Sequence, residues 1–315
     1  HHANFYHKNP SVNLKYIVDI DDKKRYEAKN KFKDAIILSN YDHVIDDDAV
    51  DAISIASYDH FHYPQIMQAL SAGKHLFVEK PLCQNRVELE KIYALYRKSD
   101  LIMASNFPLR TTPRFIDIKN QIKAGDFGDI LTLNLSYIWG RPDKLLKGWR
   151  IQMPYYSIIQ GALIHMIDLS YFFLGEWPKK IIGMGSDKGF ELFKDKNISK
   201  HIDDQVCLLF KYKDGKIAYL SAQSLSCCPH FHEVKIYGSK KSFISTPKDS
   251  FYLDDLSEHR LTYDVNESEY PARSYRTLSL QKFIDAIIYK DKSLLLHQNL
   301  YELMDLVFTC EEAVN

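Results

Sequence analysis

Lys80 and His165 head the residues whose types and spacing suit chemistry. Lys80 stands between Glu79 and Pro81, directly after the apolar run His75–Val78. An ammonium at a strand end can stabilise negative charge developing on a substrate oxygen. His165 lies in a helical stretch, GALIHMIDLSYFFLG, and Asp168 follows three residues later on the same helix face. An imidazole can take a proton near neutral pH, and a neighbouring carboxylate can orient it or bind a hydroxyl. Each residue has a plainer reading as well. Lys80 can be a solvated strand-end lysine, and His165 a core histidine satisfied by Asp168. The strings His60–His62 and His230–His232 have no carboxylate or third ligand at zinc spacing, so no metal site is read from them.

The elements around Lys80 carry the strongest local pattern. Residues 51–81 read DAISIASYDHFHYPQIMQALSAGKHLFVEKP. Two apolar strands, Ala52–Ala56 and His75–Val78, enclose a helical pattern with Ile66, Ala69, Leu70 and Ala72 toward one side and Gly73 as its stop. Apolar runs on both sides of a helix indicate parallel strands buried on both faces. Ligands of such sheets gather outside the carboxyl ends of the strands. Ser57-Tyr58-Asp59 leaves one strand end and Glu79-Lys80-Pro81 the other, so one crevice can receive both. An earlier strand, Leu14–Val18, ends at Asp19. In a dinucleotide-binding domain an acid at that strand end accepts hydrogen bonds from the adenosine ribose. Asp21 is a weaker candidate, and a solvated loop acid is the plain alternative.

Such a domain opens with a strand, a G-x-G-x-x-G loop and a helix. Here the first residues, HHANFYHKN, already read as the helix. The first strand is central in the order 3-2-1-4-5-6, so the expectation is that roughly 20 residues precede His1 in the full-length protein. Gly183, Gly185 and Gly189 form a G-x-G-x-x-x-G string, but no helical apolar stripe follows, and it reads as a strand end and surface loop.

Beyond Pro108 the character changes. Pro113–Ile122 reads as a helix, then strands are expected at Leu131–Trp139, Lys179–Met184, Gln205–Tyr212, Lys216–Gln223 and Glu233–Tyr237. Asp214-Gly215 between two of them is a hairpin signal. Leu278–Ile288 and Tyr301–Val314 read as amphipathic helices. The fold class is therefore α/β: a Rossmann-type dinucleotide-binding domain over residues 1–108, followed by an α+β domain with an open, mostly antiparallel sheet over residues 109–315.

These residues together resemble the Gfo/Idh/MocA family of nicotinamide-dependent sugar and cyclitol oxidoreductases. Asp51, Ala52, Ile53 and His62 match its D-A-V-x-I-x-T-P-x-x-x-H run, with Ser57 and Tyr58 in place of T-P, and Glu79-Lys80-Pro81 matches E-K-P. Asn106, Phe107, Arg110, Pro113 and Phe115 match N-F-x-x-R-x-x-P-x-F. Gly125, Gly128 and Ile130 match G-x-x-G-x-I, Trp149-Arg150 sits at a frequent W-R, and His165 with Asp168 matches H-x-x-D. The likeness spans nearly the whole chain apart from the phosphate loop.

The resemblance implies hydride transfer between NAD and a hydroxyl-bearing carbon of a sugar, sugar nucleotide or cyclitol. It implies Lys80 as the charge near the reacting oxygen, His165 as base and Asp168 as its partner or a substrate ligand. Asp19, Ser57, Tyr58, His62, Glu79, Lys80, Asn106, Trp149 and Arg150 are the expected cofactor residues. Arg110, Tyr155, Tyr156, His165 and Asp168 are expected around the substrate. Asp19 favours NAD, because a carboxylate repels a 2′-phosphate, with NADP the second choice. One departure stands out: the family often carries an Asp four residues before the histidine, and here that position is Gly161. A non-catalytic dinucleotide- or sugar-binding regulator of the same fold is the alternative.

Composition sets the remaining expectations. Charge is balanced, with 41 basic and 41 acidic residues, which speaks against nucleic acid or an anionic membrane as partner. No apolar run approaches the ~20 residues that span a bilayer. The five cysteines lack metal spacing and read as free thiols of a reducing cytoplasm. The sheet of the second half is expected to keep one face open, with Tyr212, Tyr219 and Tyr237 or their neighbours on it, and to pair in a homodimer or a tetramer of dimers.

Overall fold

The computed structural model describes residues 1–195, 202–247, 249–254, 260–262 and 276–314. The chain forms two compact units, His1–Asn106 with Ser274–Leu300, and Phe107–Arg273 with Tyr301–Asn315.

The first unit alternates helix and strand: α1 (His2–Lys8), β1 (Tyr16–Val18), α2 (Asp22–Lys31), β2 (Ile36–Leu38), α3 (Asp42–Ile45), β3 (Ala52–Ile55), α4 (Asp59–Ser71), β4 (His75–Val78), α5 (Arg86–Tyr96) and β5 (Met103–Ser105). β1 and β2 pair in parallel, and β3, β4 and β5 form a second parallel sheet in that order. The reason is the one visible in the apolar runs: Leu76, Phe77 and Val78 are fully buried, with Ile66 and Ala69 of α4 and Leu89 and Ile92 of α5. α5 starts where Asn85 accepts the Glu88 N–H at 3.0 Å while Glu88 reaches back to the Gln84 N–H.

The second unit holds α6 (Pro113–Ala124), β6 (Ile130–Ile138), α7 (Pro142–Leu146), α8 (Ile164–Leu174), β7 (Lys180–Ser186), α9 (Lys188–Phe193), β8 (Gln205–Lys211), β9 (Ile217–Gln223), β10 (Phe231–Gly238), β11 (Ser242–Ser245), β12 (Ser250–Leu253) and β13 (Arg260–Thr262). Its sheet runs β13-β12-β11-β10-β6-β9-β8-β7. All neighbours are antiparallel except β6 and β9, which pair in parallel at the centre. One face is the core, with Leu133, Leu135, Val206, Leu208, Phe210, Val234 and Ile236 buried.

Several expectations need correction. Residues 274–300 return to the first unit, so a single cut at 108 does not separate the units. There α10 (Arg276–Ile288) packs Leu280, Phe283 and Ile284 against Phe77, Ile102 and Ala104, while α11 (Leu300–Val314) ends the second unit. Leu131 does not continue the buried row of Leu133 and Leu135. The register steps from Tyr237↔Thr132 to Gly238↔Ile130, which leaves Leu131 unpaired in a bulge and more than half exposed. Tyr212 is buried and is not part of an open face. The glycine string serves packing: a Cβ on Gly183 or Gly185 would lie 2.7 Å from Val314 at the end of α11. Its last residue, Gly189, lies within the short helix α9, which the sequence does not announce.

Candidate functional site

In the first unit the candidate residues cluster at the carboxyl ends of the strands. Asp19 follows β1, and its N–H donates to Leu38 O at 3.2 Å, fixing it beside β2. Its Oδ1 accepts the Asp21 N–H at 3.0 Å, its Oδ2 lies 4.0 Å from Lys24 Nζ, and a third of the side chain is exposed. That leaves a strand-end carboxylate facing solvent, a fit for ribose hydroxyls. Asp21 is the helix cap of α2: it accepts the Lys24 N–H, which holds its carboxyl below the usual range.

Lys80 is half-buried directly after β4, and the residue before it is locked. Glu79 Oε1 accepts from His2 Nε2 at 3.0 Å and from Asn106 Nδ2 at 2.8 Å, and His2 Nδ1 contacts Ser54 Oγ at 2.8 Å. Desolvation works to raise the Glu79 carboxyl, but the hydrogen bonds and charge of its neighbours outweigh it and hold the group below its ordinary value. Asn106, at the end of β5, is thereby tied to the loop that carries Lys80.

His62 and Ser57 are held by bonds to neighbouring loop and helix residues. His62 is fully buried on α4 and donates from Nδ1 to Pro81 O at 2.6 Å, with Nε2 3.2 Å from Ser57 O. It braces the loop after β3 against the loop after β4. Ser57 Oγ donates to Gln65 Oε1 at 2.7 Å, and Tyr58 precedes the first turn of α4 with its ring partly exposed.

In the second unit α8 carries His165 and Asp168, but the two side chains serve different neighbours. Arg110, from the turn Pro108–Thr111, donates from Nη2 to Asp168 Oδ1 at 2.6 Å and from Nε to both oxygens at 3.0 Å. Both side chains are almost completely buried, 7% and 1% exposed. Burial pushes the Asp168 carboxyl up, against the pull of the guanidinium. Asp168 and Arg110 thus form a buried pair, where both had been expected around the substrate. The same face of a helix is not enough to make Asp168 the partner of His165, because Arg110 arrives on it from elsewhere in the chain.

The His165 ring lies between aromatic rings. Tyr137 of β6 stacks on it with centroids 5.7 Å apart and planes 14° apart, and Phe107 meets it edge-on at 6.0 Å. Tyr137 in turn packs against His232 at 4.7 Å and His230 at 5.5 Å, while His230 Nδ1 donates to the Ile138 and Trp139 carbonyls at 3.1 Å. Tyr137 escaped the sequence reading although its alternation with Leu133 and Leu135 puts it on the inner face. The second His-Phe-His string belongs to this cluster. Among the described residues, no group of three or more His, Cys, Asp or Glu side chains is arranged to hold a metal ion.

Trp149 and Arg150 open a short turn, Trp149–Gln152. The Arg150 guanidinium lies 4.3 Å from the Trp149 ring centre, 5.0 Å from Trp139 and 5.8 Å from Tyr156. Tyr155 Oη donates to Glu311 Oε1 at 3.0 Å, and Gln160 Nε2 donates to Glu311 Oε2 at 2.9 Å. Burial pushes both the Tyr155 phenol and the Glu311 carboxyl up.

A parallel-stranded unit with a solvent-facing strand-end acid and a locked strand-end Glu-Lys, followed by a unit built on a mostly antiparallel sheet with a buried helix histidine, is the arrangement of nicotinamide-dependent oxidoreductase folds. Comparison narrows the class. Residues 1–107 match the model "Oxidoreductase family, NAD-binding Rossmann fold", and residues 115–244 match the GFO/IDH/MocA C-terminal domain. The chain belongs to the Gfo/Idh/MocA family.

Among curated relatives, levoglucosan dehydrogenase of Pseudarthrobacter phenanthrenivorans is 24% identical over 66% of this chain and 58% of its own length. Myo-inositol 2-dehydrogenase of Thermotoga maritima is 23% identical over 71% of this chain and 65% of its own length. The chain thus matches less than two thirds of either relative. Among solved structures, myo-inositol 2-dehydrogenase from Lactobacillus plantarum superposes with a TM-score of 0.81 at 20% identity, covering 100% of this chain and 93% of that one. Levoglucosan dehydrogenase in complex with NADH and levoglucosan gives 0.80 at 19% identity, covering 99% and 92%. These likenesses show the fold. Among the described residues no helix is long and apolar enough to cross a membrane.

Proposed function

We propose that this chain is an NAD-dependent oxidoreductase, with NADP as second choice, that moves a hydride between the nicotinamide and a hydroxyl-bearing carbon of a cyclitol or sugar. The observation that carries the reading is the Glu79 lock: His2 and Asn106 hold the residue next to Lys80 at the carboxyl end of β4 in a chain of this family. The nicotinamide supplies the hydride acceptor or donor when bound. Asp19 binds the adenosine ribose, and His62 keeps the two strand-end loops together. Lys80 stabilises charge on the reacting oxygen, and His165 moves its proton. Asp168 anchors Arg110 instead of carrying a proton. Trp149, Arg150 and Tyr155 are proposed contacts for nicotinamide or substrate.

The test is nicotinamide absorbance with NAD or NADP and a panel of inositols, anhydrosugars and sugar nucleotides. Lys80→Ala and His165→Ala should each lower turnover by roughly 10²–10⁴ while NAD binding survives. The double variant should lose little more than either single one. Full activity in His165→Ala would move the base elsewhere. Absence of turnover across the panel, with NAD binding intact, would favour the non-catalytic regulator, a reading that Gly161 supports.

We further infer a cytoplasmic homodimer, or a tetramer of dimers, formed through the second unit's sheet. The row Asn134, Tyr219, Leu209 and Ile182 crosses four strands on one face, and Tyr219, Leu209, Ile182 and nearby Met184 are exposed. An apolar face of this kind suits a second copy. A monomer by light scattering at micromolar concentration would sink the inference.

A further inference from the structure

The helix leads to His165 through a turn whose middle residue has no side chain. The π-turn Ile159–Leu163 runs directly into α8, and Gly161 lies four residues, about one turn, before His165. A Cβ built on Gly161 would lie 2.2 Å from Tyr156 Oη and 2.7 Å from its Cζ. The Tyr156 phenol therefore occupies the place where a side chain of residue 161 would begin. Gly161 is not among the positive-φ glycines, so backbone conformation does not call for glycine there; the space does. Tyr156 is well held. It is buried, packs with Trp139, Leu145, Met153 and Phe190, and has the Arg150 guanidinium over its ring.

We propose that Tyr156 is a positioning residue for the reaction, its hydroxyl serving as the polar group of the helix face ahead of His165. The proposal rests on the oxidoreductase reading. A phenol can donate and accept a hydrogen bond and stays neutral near pH 7. A carboxylate on residue 161 would instead place a fixed negative charge one turn from the imidazole and favour its protonated form. Tyr137 on β6 stacks on the His165 ring with His230 and His232 beyond it, and Asp168, three residues on, faces Arg110 and Lys119. Asp168 is engaged by Arg110, and the polar atom at the place of a residue-161 side chain is the Tyr156 hydroxyl.

Because a side chain at 161 and the phenol exclude each other, the two positions can be exchanged. Tyr156→Phe removes the hydroxyl and keeps the ring. It should lower kcat about tenfold or more, with KM and NAD affinity changed by less than about twofold and the melting temperature preserved. Tyr156→Ala should lose at least as much, and adding Gly161→Asp should restore part of kcat and move the acid limb of kcat/KM to higher pH. Full kcat in Tyr156→Phe would make Tyr156 a space filler and overturn the proposal. If the wild type turns over none of the panel, the oxidoreductase reading fails first. The imidazole of His165, titrated by NMR in wild type and Tyr156→Phe, then decides: a shifted titration supports the Tyr156–His165 link, and an unshifted one removes it.

Discussion

Asp19 and Asp168 both follow local patterns that point to function, and the folded molecule treats them in opposite ways. Asp19 closes a strand with its carboxylate toward solvent and only a backbone N–H and a distant lysine for company. Asp168 is sealed inside the second unit with Arg110 on both oxygens. The difference teaches that a carboxylate's role is decided by what the rest of the chain brings to it. At Asp19 the partners come from the neighbouring strand and from residues 21–25, a few positions along the chain. At Asp168 a guanidinium arrives from 58 residues away.

The largest expected effect tests the sealed acid. Asp168→Asn or Arg110→Ala should cost about 3–5 kcal/mol in urea unfolding, because each leaves a buried charge uncompensated. Replacing both with apolar residues, Arg110→Met with Asp168→Leu, should recover much of that loss. A single substitution with stability near wild type would mean that the pair is not the anchor described. The open acid should behave otherwise. Asp19→Ala should leave stability almost unchanged and weaken NAD by about 1.5–3 kcal/mol, with a smaller loss for NADP. Calorimetry showing equal NAD affinity would end its ribose assignment.

The smallest effect belongs to Glu79, which stands between the two extremes: half-buried, yet tied by side chains. Its carboxyl is held below the ordinary value of 4.5. A lowered carboxyl contributes stability that is present above the ordinary value and fades as pH falls through the lowered one. Glu79→Gln should therefore lower stability modestly at neutral pH and flatten its fall in that acid window, where the two proteins converge. Unfolding midpoints at stepped pH that fall equally in both proteins would contradict this.

Much of the first unit was legible because its signals are short-range. The run His75–Val78 is a strand in sequence and structure alike, and Asp19 follows its strand as the period implies. The second unit hid its partners. β6 pairs with β9 across more than 80 residues, and no local alternation announces a parallel pair inside a hairpin-rich sheet. β11 and β12 were missed because each is four residues long; Phe243 and Tyr252, opposite each other, are the buried pair that makes them strands. In the site, His165 and Lys80 were visible as residue types at particular places. Tyr156 beside Gly161, and Arg110 against Asp168, were not, since each depends on a contact that spacing along one element does not encode.

The return of residues 274–300 to the first unit has a consequence for the order in which this protein can mature on the ribosome. Phe77 and Ala104 lie on β4 and β5 and Ile102 directly precedes β5, yet their cover is Leu280, Phe283 and Ile284 of α10. The first unit must wait, with that apolar surface exposed, until residues 280–284 have been synthesised. The second unit can gather most of its sheet during the delay. A nascent chain stalled near residue 110 is therefore the form most exposed to holding chaperones, and a gene fragment ending there would yield a sticky half-domain in place of an independent binding module.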